Sequence, residues 1–119
     1  MGFVHVKVAL ESLSGAAAPR DVELLVDTGA LYSMVPESVL RELGVEPRVR
    51  VEFELADGSR MQRNVGEVRF HFNGESAVSR VIFGDETDAG VLGVVTLEEL
   101  GLEVDPVNKQ LRPARMIMY

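Results

Sequence analysis

The sequence predicts a mostly β domain carrying two short helices. Three observations predict it. Apolar and polar residues alternate over several short segments, most clearly at Val4, Val6, Val8 and Leu10, and again at Val49, Val51, Phe53 and Leu55. Turn-forming pairs, Asp57-Gly58 and Asn73-Gly74, separate such segments. Helical spacing occurs only at 36–43 and 96–101, and glycine stops each stretch.

In chain order, residues 3–10 form the first strand, with Val4, Val6, Val8 and Leu10 on one face. The small residues of 14–19 read as a hairpin connection, and Val22 to Val26 is the second strand. Pro36 to Leu43 is a short helix. Proline suits its first turn, Val39, Leu40 and Leu43 share a face, and Gly44 suits its C-terminal end. Val49 to Leu55 is an amphipathic strand. Ala56-Asp57-Gly58-Ser59 is a turn with Asp57-Gly58 as its central pair.

The next strand starts near Arg60. Its apolar register shifts from Val65 to Val68, Phe70 and Phe72, which predicts a bulge or bend at Gly66. After the Asn73-Gly74 turn, residues 76–83 return as a strand, and 84–90 is an acidic loop. Val91 to Val95 is a buried strand. Thr96 with Glu99 fits a capping box that opens a helix ending at Gly101. Glu103 to Leu111 is a last hairpin turning at Asn108-Lys109, and Met116 to Tyr119 is a short apolar tail. The units 22–43 and 91–101, each an apolar run followed by a helix, hint at a duplicated half.

The totals narrow the function. The 119 residues suit one domain, 1–119, with one core. Apolar residues at 46% argue against disorder. A net charge of −7 argues against a nucleic-acid partner, since binding phosphates needs a basic excess. With no cysteine, disulfides, thiol catalysis and zinc–thiolate sites are excluded. The opening residues MGFVHVKVAL hold no long apolar segment, so neither a signal peptide of ordinary form nor a membrane span is expected, and the expected location is cytoplasmic.

The chemistry points to Asp27-Thr28-Gly29. An apolar run, Val22 to Val26, leads into the aspartate, Ala30 follows, and Val35-Pro36 closes the segment. A carboxylate at the end of a strand, held in a turn by Thr and Gly, is placed to react. A bare Asp-Thr-Gly arises by accident in roughly a few per cent of chains this long, so context decides its value. Here a helix follows it, then an Asp-Gly-tipped hairpin, then Val91-Leu92-Gly93 and another helix.

That order resembles the retroviral-type aspartic proteases and their cellular single-domain relatives, the retropepsins. The resemblance runs from about Phe3 to Gly101. It implies a retropepsin-like closed β-barrel and a homodimeric aspartic endopeptidase acting on peptide or protein substrates. No cofactor and no metal are implied. By resemblance Asp27 is the catalytic aspartate, Thr28 hydrogen-bonds across the dimer, and Gly29 lets the backbone turn. Ala30 lies beside the substrate backbone, and Ala56, Asp57, Gly58 and Ser59 form the tip of a flap. Val91, Leu92 and Gly93 pack under the catalytic loop and line a side-chain pocket. The chain departs from the viral pattern in lacking an acidic pair after Ala30, in its single flap-tip glycine, and in continuing well past the second helix.

Independent chemistry agrees. Peptide hydrolysis without metal or nucleophile needs one group to activate water and another to protonate the carbonyl. Two close carboxylates cannot both ionise, so they share a proton and divide these roles. The chain has one Asp-Thr-Gly, so an active enzyme needs Asp27 from two chains on a two-fold axis. The rival readings are a peptide-binding module on the same fold and a structural dimerisation domain.

Simpler readings stand beside the site residues. Residues 56–59 also fit a plain hairpin turn, and 91–93 a core strand. Asp85, Glu86 and Asp88 lack calcium-loop spacing and read as a solvated loop. His5 and His71 read as exposed strand residues. Tyr32, Met116, Met118 and Tyr119 fit either an interface or the core.

Overall fold

The computed structural model describes residues 4–116 and 118. Strand β1 (Val4–Glu11) and β2 (Arg20–Val26) form an antiparallel hairpin with Val8 opposite Val22. The predicted alternation is borne out: Val4, Val8 and Leu10 are buried and Val6 packs against the core. Strand β3 (Ser33–Pro36) then leads into helix α1 (Glu37–Glu42). Gly44 ends this helix at φ +80°, a conformation that favours a residue without Cβ.

Strand β4 (Val49–Glu54) pairs with the first half of the long strand β5 (Arg60–Phe72), and β6 (Glu75–Gly84) pairs with its second half. The turn between β5 and β6 has positive φ at both Asn73 (48°) and Gly74 (83°), as the Asn-Gly pair predicts. Strand β7 (Val91–Leu92), helix α2 (Val94–Glu99), and the hairpin β8 (Leu102–Asp105) with β9 (Gln110–Pro113) complete the chain.

The sheet order is β1-β2-β7-β3-β6-β5-β4, and β1 also pairs with β5. Six strands thus close into a barrel, and β4, paired only with β5, keeps the free edge of the sheet. Two of the joins are parallel, β2 with β7 and β3 with β6. The core is continuous, built from Leu10, Leu24, Val35, Val68, Phe70 and Val81 on the strands, with Leu40 and Leu97 from the helices. Before Val65, strand β5 pairs with β4 and not with β6, and the β4–β5 hairpin extends from the barrel. The apolar face of β4 is incompletely covered: Val49 is 48% exposed.

Several expectations are corrected. Strand β3 was not predicted. Its partners are the distant β6 and β7, and its four residues carry too short a pattern to read. No bulge occurs at Gly66: the ladder of β5 with β6 runs through it without a break, and the ladder with β4 ends one residue earlier at Val65. The apolar register shifts there because β5 changes neighbours. Gly66 instead permits close packing, since a Cβ would lie 3.0 Å from the Glu46 carbonyl oxygen and 3.1 Å from the Phe83 ring.

The apolar run 91–95 is a strand only at Val91–Leu92, and the helix begins at Val94 rather than at Thr96. Thr96 is not a cap. Its hydroxyl is buried and engaged with Ser33 and Ser79. The first helical N–H groups go elsewhere: Val94 donates to the Ala30 carbonyl at 2.9 Å and Val95 to the Leu31 carbonyl at 3.1 Å. The helix is started by a neighbouring loop, not by a side chain. Met116 and Met118 are 73% and 98% exposed, which excludes the core reading for both, while Tyr119 lies outside the described residues.

Candidate active site

The Asp27-Thr28-Gly29-Ala30 turn follows directly from β2. Leu25 and Val26 pair with Val91 and Leu92 of β7, and the ladder ends as the Asp27 N–H donates to the Leu92 carbonyl at 3.1 Å. Two further bonds shape the turn. The Ala30 N–H donates to the Asp27 carbonyl at 3.1 Å, and the Gly29 N–H donates to Asp27 Oδ1 at 2.9 Å. Gly29 does not take a positive φ. Its value lies in proximity: a Cβ there would sit 3.2 Å from Asp27 Oδ1.

Asp27, Thr28 and Gly29 are exposed in the single chain. A strand-end carboxylate that faces outward is poor material for a core and good material for a surface shared with a partner or substrate. Beneath it, the turn is braced from the second apolar segment. The residues Ala30 and Leu31 accept the first two N–H groups of α2, as described above. The Gly93 N–H donates to Ser33 Oγ at 2.9 Å. No side chain fits at Gly93, because a Cβ would lie 2.5 Å from the Tyr32 carbonyl carbon and 2.7 Å from its oxygen.

A buried chain of hydroxyls extends this bracing. Ser33 Oγ lies 2.6 Å from Thr96 Oγ1, and Thr96 Oγ1 lies 3.1 Å from Ser79 Oγ. It ties the segment after the turn to α2 and to β6. Sequence reasoning missed Ser33 and Ser79 and read Thr96 as a helix cap. Their signal was present but weak: Ser33 and Ser79 occupy strand positions in phase with buried Val35 and Val81. A hydroxyl in a buried phase needs a partner, and these supply one another.

Across from the turn, the β4–β5 hairpin ends in residues 55–59. The Gly58 N–H donates to the Leu55 carbonyl at 2.9 Å, so the central pair of the turn is Ala56-Asp57, not Asp57-Gly58. Gly58 follows at φ +86°, and the Leu55 N–H donates to the Ser59 carbonyl. The extra residue comes from the left-handed glycine. Asp57 Oδ1 accepts the Ser59 hydroxyl at 2.5 Å and the Ser59 N–H at 2.9 Å. The Ser59 hydroxyl, and then its N–H, hold the Asp57 carboxyl below the usual aspartate value.

A groove of about 470 Å³ separates the hairpin from the turn. Ala30, Leu31 and Met34 line one side, and Phe53, Leu55 and Met61 the other. Leu31 and Leu55 remain 58% and 41% exposed. Tyr32 also faces the groove and carries the Arg80 guanidinium 5.7 Å from its ring centre. Of the residues singled out in sequence, Ala30 lines this groove. Asp27, Thr28 and Gly29 stand beside Ala30 in the turn, and Ala56 to Ser59 form the exposed tip of the hairpin. Leu92 and Gly93 are buried beneath the turn and form no part of the groove wall. Asp85 and Asp88 engage Arg63. Among the described residues no cluster of three or more His, Asp or Glu is placed to hold a metal ion. No described helix is long and apolar enough to cross a membrane.

Solved structures share this architecture. The EIAV protease complexed with the inhibitor HBY-793 matches with a TM-score of 0.60 at 16% identity, over 98% of this chain and 94% of that one. A retropepsin-like aspartic protease from Rickettsia conorii matches with a TM-score of 0.59 at 15% identity, over 87% and 77%. The simian foamy virus (mac) protease matches with a TM-score of 0.53 at 19% identity, over 78% and 92%. At such identities the likeness establishes the fold, which is retropepsin-like. No curated protein sequence matches the chain. A family model described as "gag-polyprotein putative aspartyl protease" matches residues 14–99, a span that holds the Asp27 turn, the β4–β5 hairpin and Gly93 together, and the chain belongs to that aspartyl protease family.

Proposed function

We propose that the protein is a homodimeric aspartic endopeptidase in which Asp27 from each of two chains meets its counterpart. The observation that carries this reading is an exposed Asp-Thr-Gly turn, braced from below by Leu92 and α2, at the side of an apolar groove. One chain offers one such carboxylate. Two of them, brought close, hold one proton between them. The ionised member takes a proton from water as that water attacks the peptide carbonyl. The protonated member donates to the carbonyl oxygen, and the tetrahedral intermediate then collapses as the carboxyl that took the water proton passes it to the leaving nitrogen, which departs as the amine.

The surrounding residues serve this chemistry. Gly29 holds the Asp27 carboxylate through its N–H. Thr28, exposed beside it, bonds to the partner chain and fixes the approach of the two turns. Ala30 offers a small wall to the substrate backbone. The hairpin tip at 56–59 closes over an extended peptide whose side chains enter the groove. Peptide binding uses main-chain hydrogen bonds together with side-chain pockets, as other strand-like ligands do.

The test is Asp27→Asn. The amide keeps the shape but cannot serve as the shared carboxyl pair. Folding and dimer mass stay as in the parent, and peptide hydrolysis is lost. Turnover equal to that of the parent removes Asp27 from the mechanism. A second reading rests on the groove being formed within one chain: the domain binds peptides without cutting them. Peptide binding by a parent protein that cleaves nothing from about pH 3 to 8, a range that spans ordinary carboxyl and imidazole values, favours that reading.

A further inference from the structure

Next to the groove lies a second pocket of about 250 Å³ that no part of the proposed catalysis uses. Its walls include Arg48, Val49, Val51, Val65, Glu67 and Arg80. The pocket and the groove share one strand face. Val49 and Val51 of β4 line the pocket, and Phe53, the next residue on that face, lines the groove. Arg80 spans the join. It lines the pocket, while its guanidinium lies 5.7 Å from the ring centre of Tyr32, which lines the groove.

Charge sets the pocket apart from the rest of the chain. Its charged wall residues are Arg48, Glu67 and Arg80. Arg48 is ion-paired with Glu67. Arg80 stands opposite Glu67 in the β5–β6 ladder, yet its exposed side chain forms no ion pair among the described residues and leans on Tyr32 instead. The wall therefore carries one net positive charge, in a chain whose total is −7. The acidic loop 84–90 does not cancel it. Asp85 is five residues on from Arg80, roughly 16 Å of extended chain, and screening acts over about 8 Å at physiological salt.

From this placement we propose that the pocket is a distal subsite of the peptide cleft that takes an acidic side chain, with Arg80 as its specificity-determining residue. The guanidinium offers a fork of donors to a carboxylate, and Val49 and Val51 give the methylenes beside it an apolar wall. From Val49 to Phe53 is four residues, about 13 Å of strand. An extended peptide has the same rise and alternation, so the acidic residue falls about four positions from the one that fills the groove. The assignment rests on the reading of the groove as a peptide cleft. It does not require that the protein cleave what it binds.

The experiment uses extended peptides with one Leu anchor and with Glu, Gln or Lys placed about four positions to either side. Binding is read by calorimetry in an Asp27→Asn background, and kcat/KM with the parent. On one side of the anchor the Glu peptide binds about tenfold more tightly than the Gln peptide, the size of one charge-assisted contact, and the Lys peptide binds less tightly than either. Arg80→Gln erases the difference between Glu and Gln. Arg50→Gln removes the same charge from the opposite face of the hairpin, where Arg50 bonds to Gln62 and Asn64, and keeps the difference. Equal binding of Glu and Gln in the parent, a difference that persists in Arg80→Gln, an equal loss of it in Arg50→Gln, or no binding of any peptide overturns the proposal. If Glu is preferred in binding while the parent cuts nothing, the subsite stands and the catalytic reading falls. Cleavage without any preference for Glu removes the subsite alone.

Discussion

Replacing Thr96 with valine isolates the hydroxyl chain beneath the candidate site. The shape is nearly kept, and one hydroxyl becomes a methyl. Thr96 is fully buried, Ser33 likewise, and Ser79 is 5% exposed. In the parent, Ser33 Oγ accepts the Gly93 N–H and is hydrogen-bonded to Thr96 Oγ1 at 2.6 Å. Thr96 Oγ1 then reaches Ser79 Oγ at 3.1 Å. The variant leaves two hydroxyls without this partner. Each such loss costs about 1–3 kcal/mol. Ser33 keeps its bond to Gly93, and Ser79 is near the edge of the buried region, so the sum falls at about 2–4 kcal/mol. Urea unfolding reads this as a lower midpoint, by about 1–2 M for slopes typical of small proteins. A second measurement removes the ambiguity. If Ser79 and Thr96 are partners, Ser79→Ala in the Thr96→Val background costs about 1 kcal/mol less than it does alone. A Thr96→Val variant within about 0.5 kcal/mol of the parent, the range of an ordinary surface change, refutes the reasoning, as does strict additivity.

The remaining predictions concern other supports of the site. Gly93→Ala forces a methyl against the Tyr32 and Leu31 backbone, and chemical denaturation should show a loss of about 1–3 kcal/mol or more; an unchanged midpoint would show that the loop yields freely. Thr28→Ala weakens the dimer more than the isolated fold, read as a raised dissociation constant in sedimentation, and an unaltered constant removes Thr28 from the interface. Peptidase activity falls faster than protein concentration on dilution, since half a dyad is inactive, whereas strict proportionality far below the dimer dissociation constant argues for one-chain activity. The Asp105 carboxyl is held below the usual aspartate range, first by the Asn108 side-chain amide and then by the Asn108 and Val107 N–H groups. That support for the β8–β9 turn is present above the ordinary aspartate value of about 3.9 and is lost as pH falls through the lowered one. Protection of the Val107 and Asn108 amides, taken relative to the intrinsic exchange rate at each pH, should therefore fall in acid, and a profile in Asp105→Asn identical to that of the parent would remove this carboxyl as the cause.

Features that depend on near neighbours along the chain were legible in the residues alone. The Asn73-Gly74 hairpin was legible because the left-handed φ its turn needs is a property of those two residues. The strands β1 and β2 and the end of α1 at Gly44 were legible for the same reason: alternation and glycine act locally. The Asp27-Thr28-Gly29 turn stood out by its residue types and by the order of elements around it. Tertiary structure decided the features whose partners lie far apart. Four residues of β3 become a strand because β6 runs beside them. The helix α2 begins at Val94 because Ala30 and Leu31 receive its first N–H groups from more than 60 residues away along the chain. Thr96 looked like a cap because its short-range pattern matches one, but burial against Ser33 and Ser79 commits its hydroxyl elsewhere. Arg63 meets Asp85 and Asp88 only because the hairpin and loop 84–90 converge on one groove. Local conformational preference is written residue by residue, whereas the pairing of distant polar groups follows from barrel closure, which brings β1 onto β5 and seats the second apolar segment under the first.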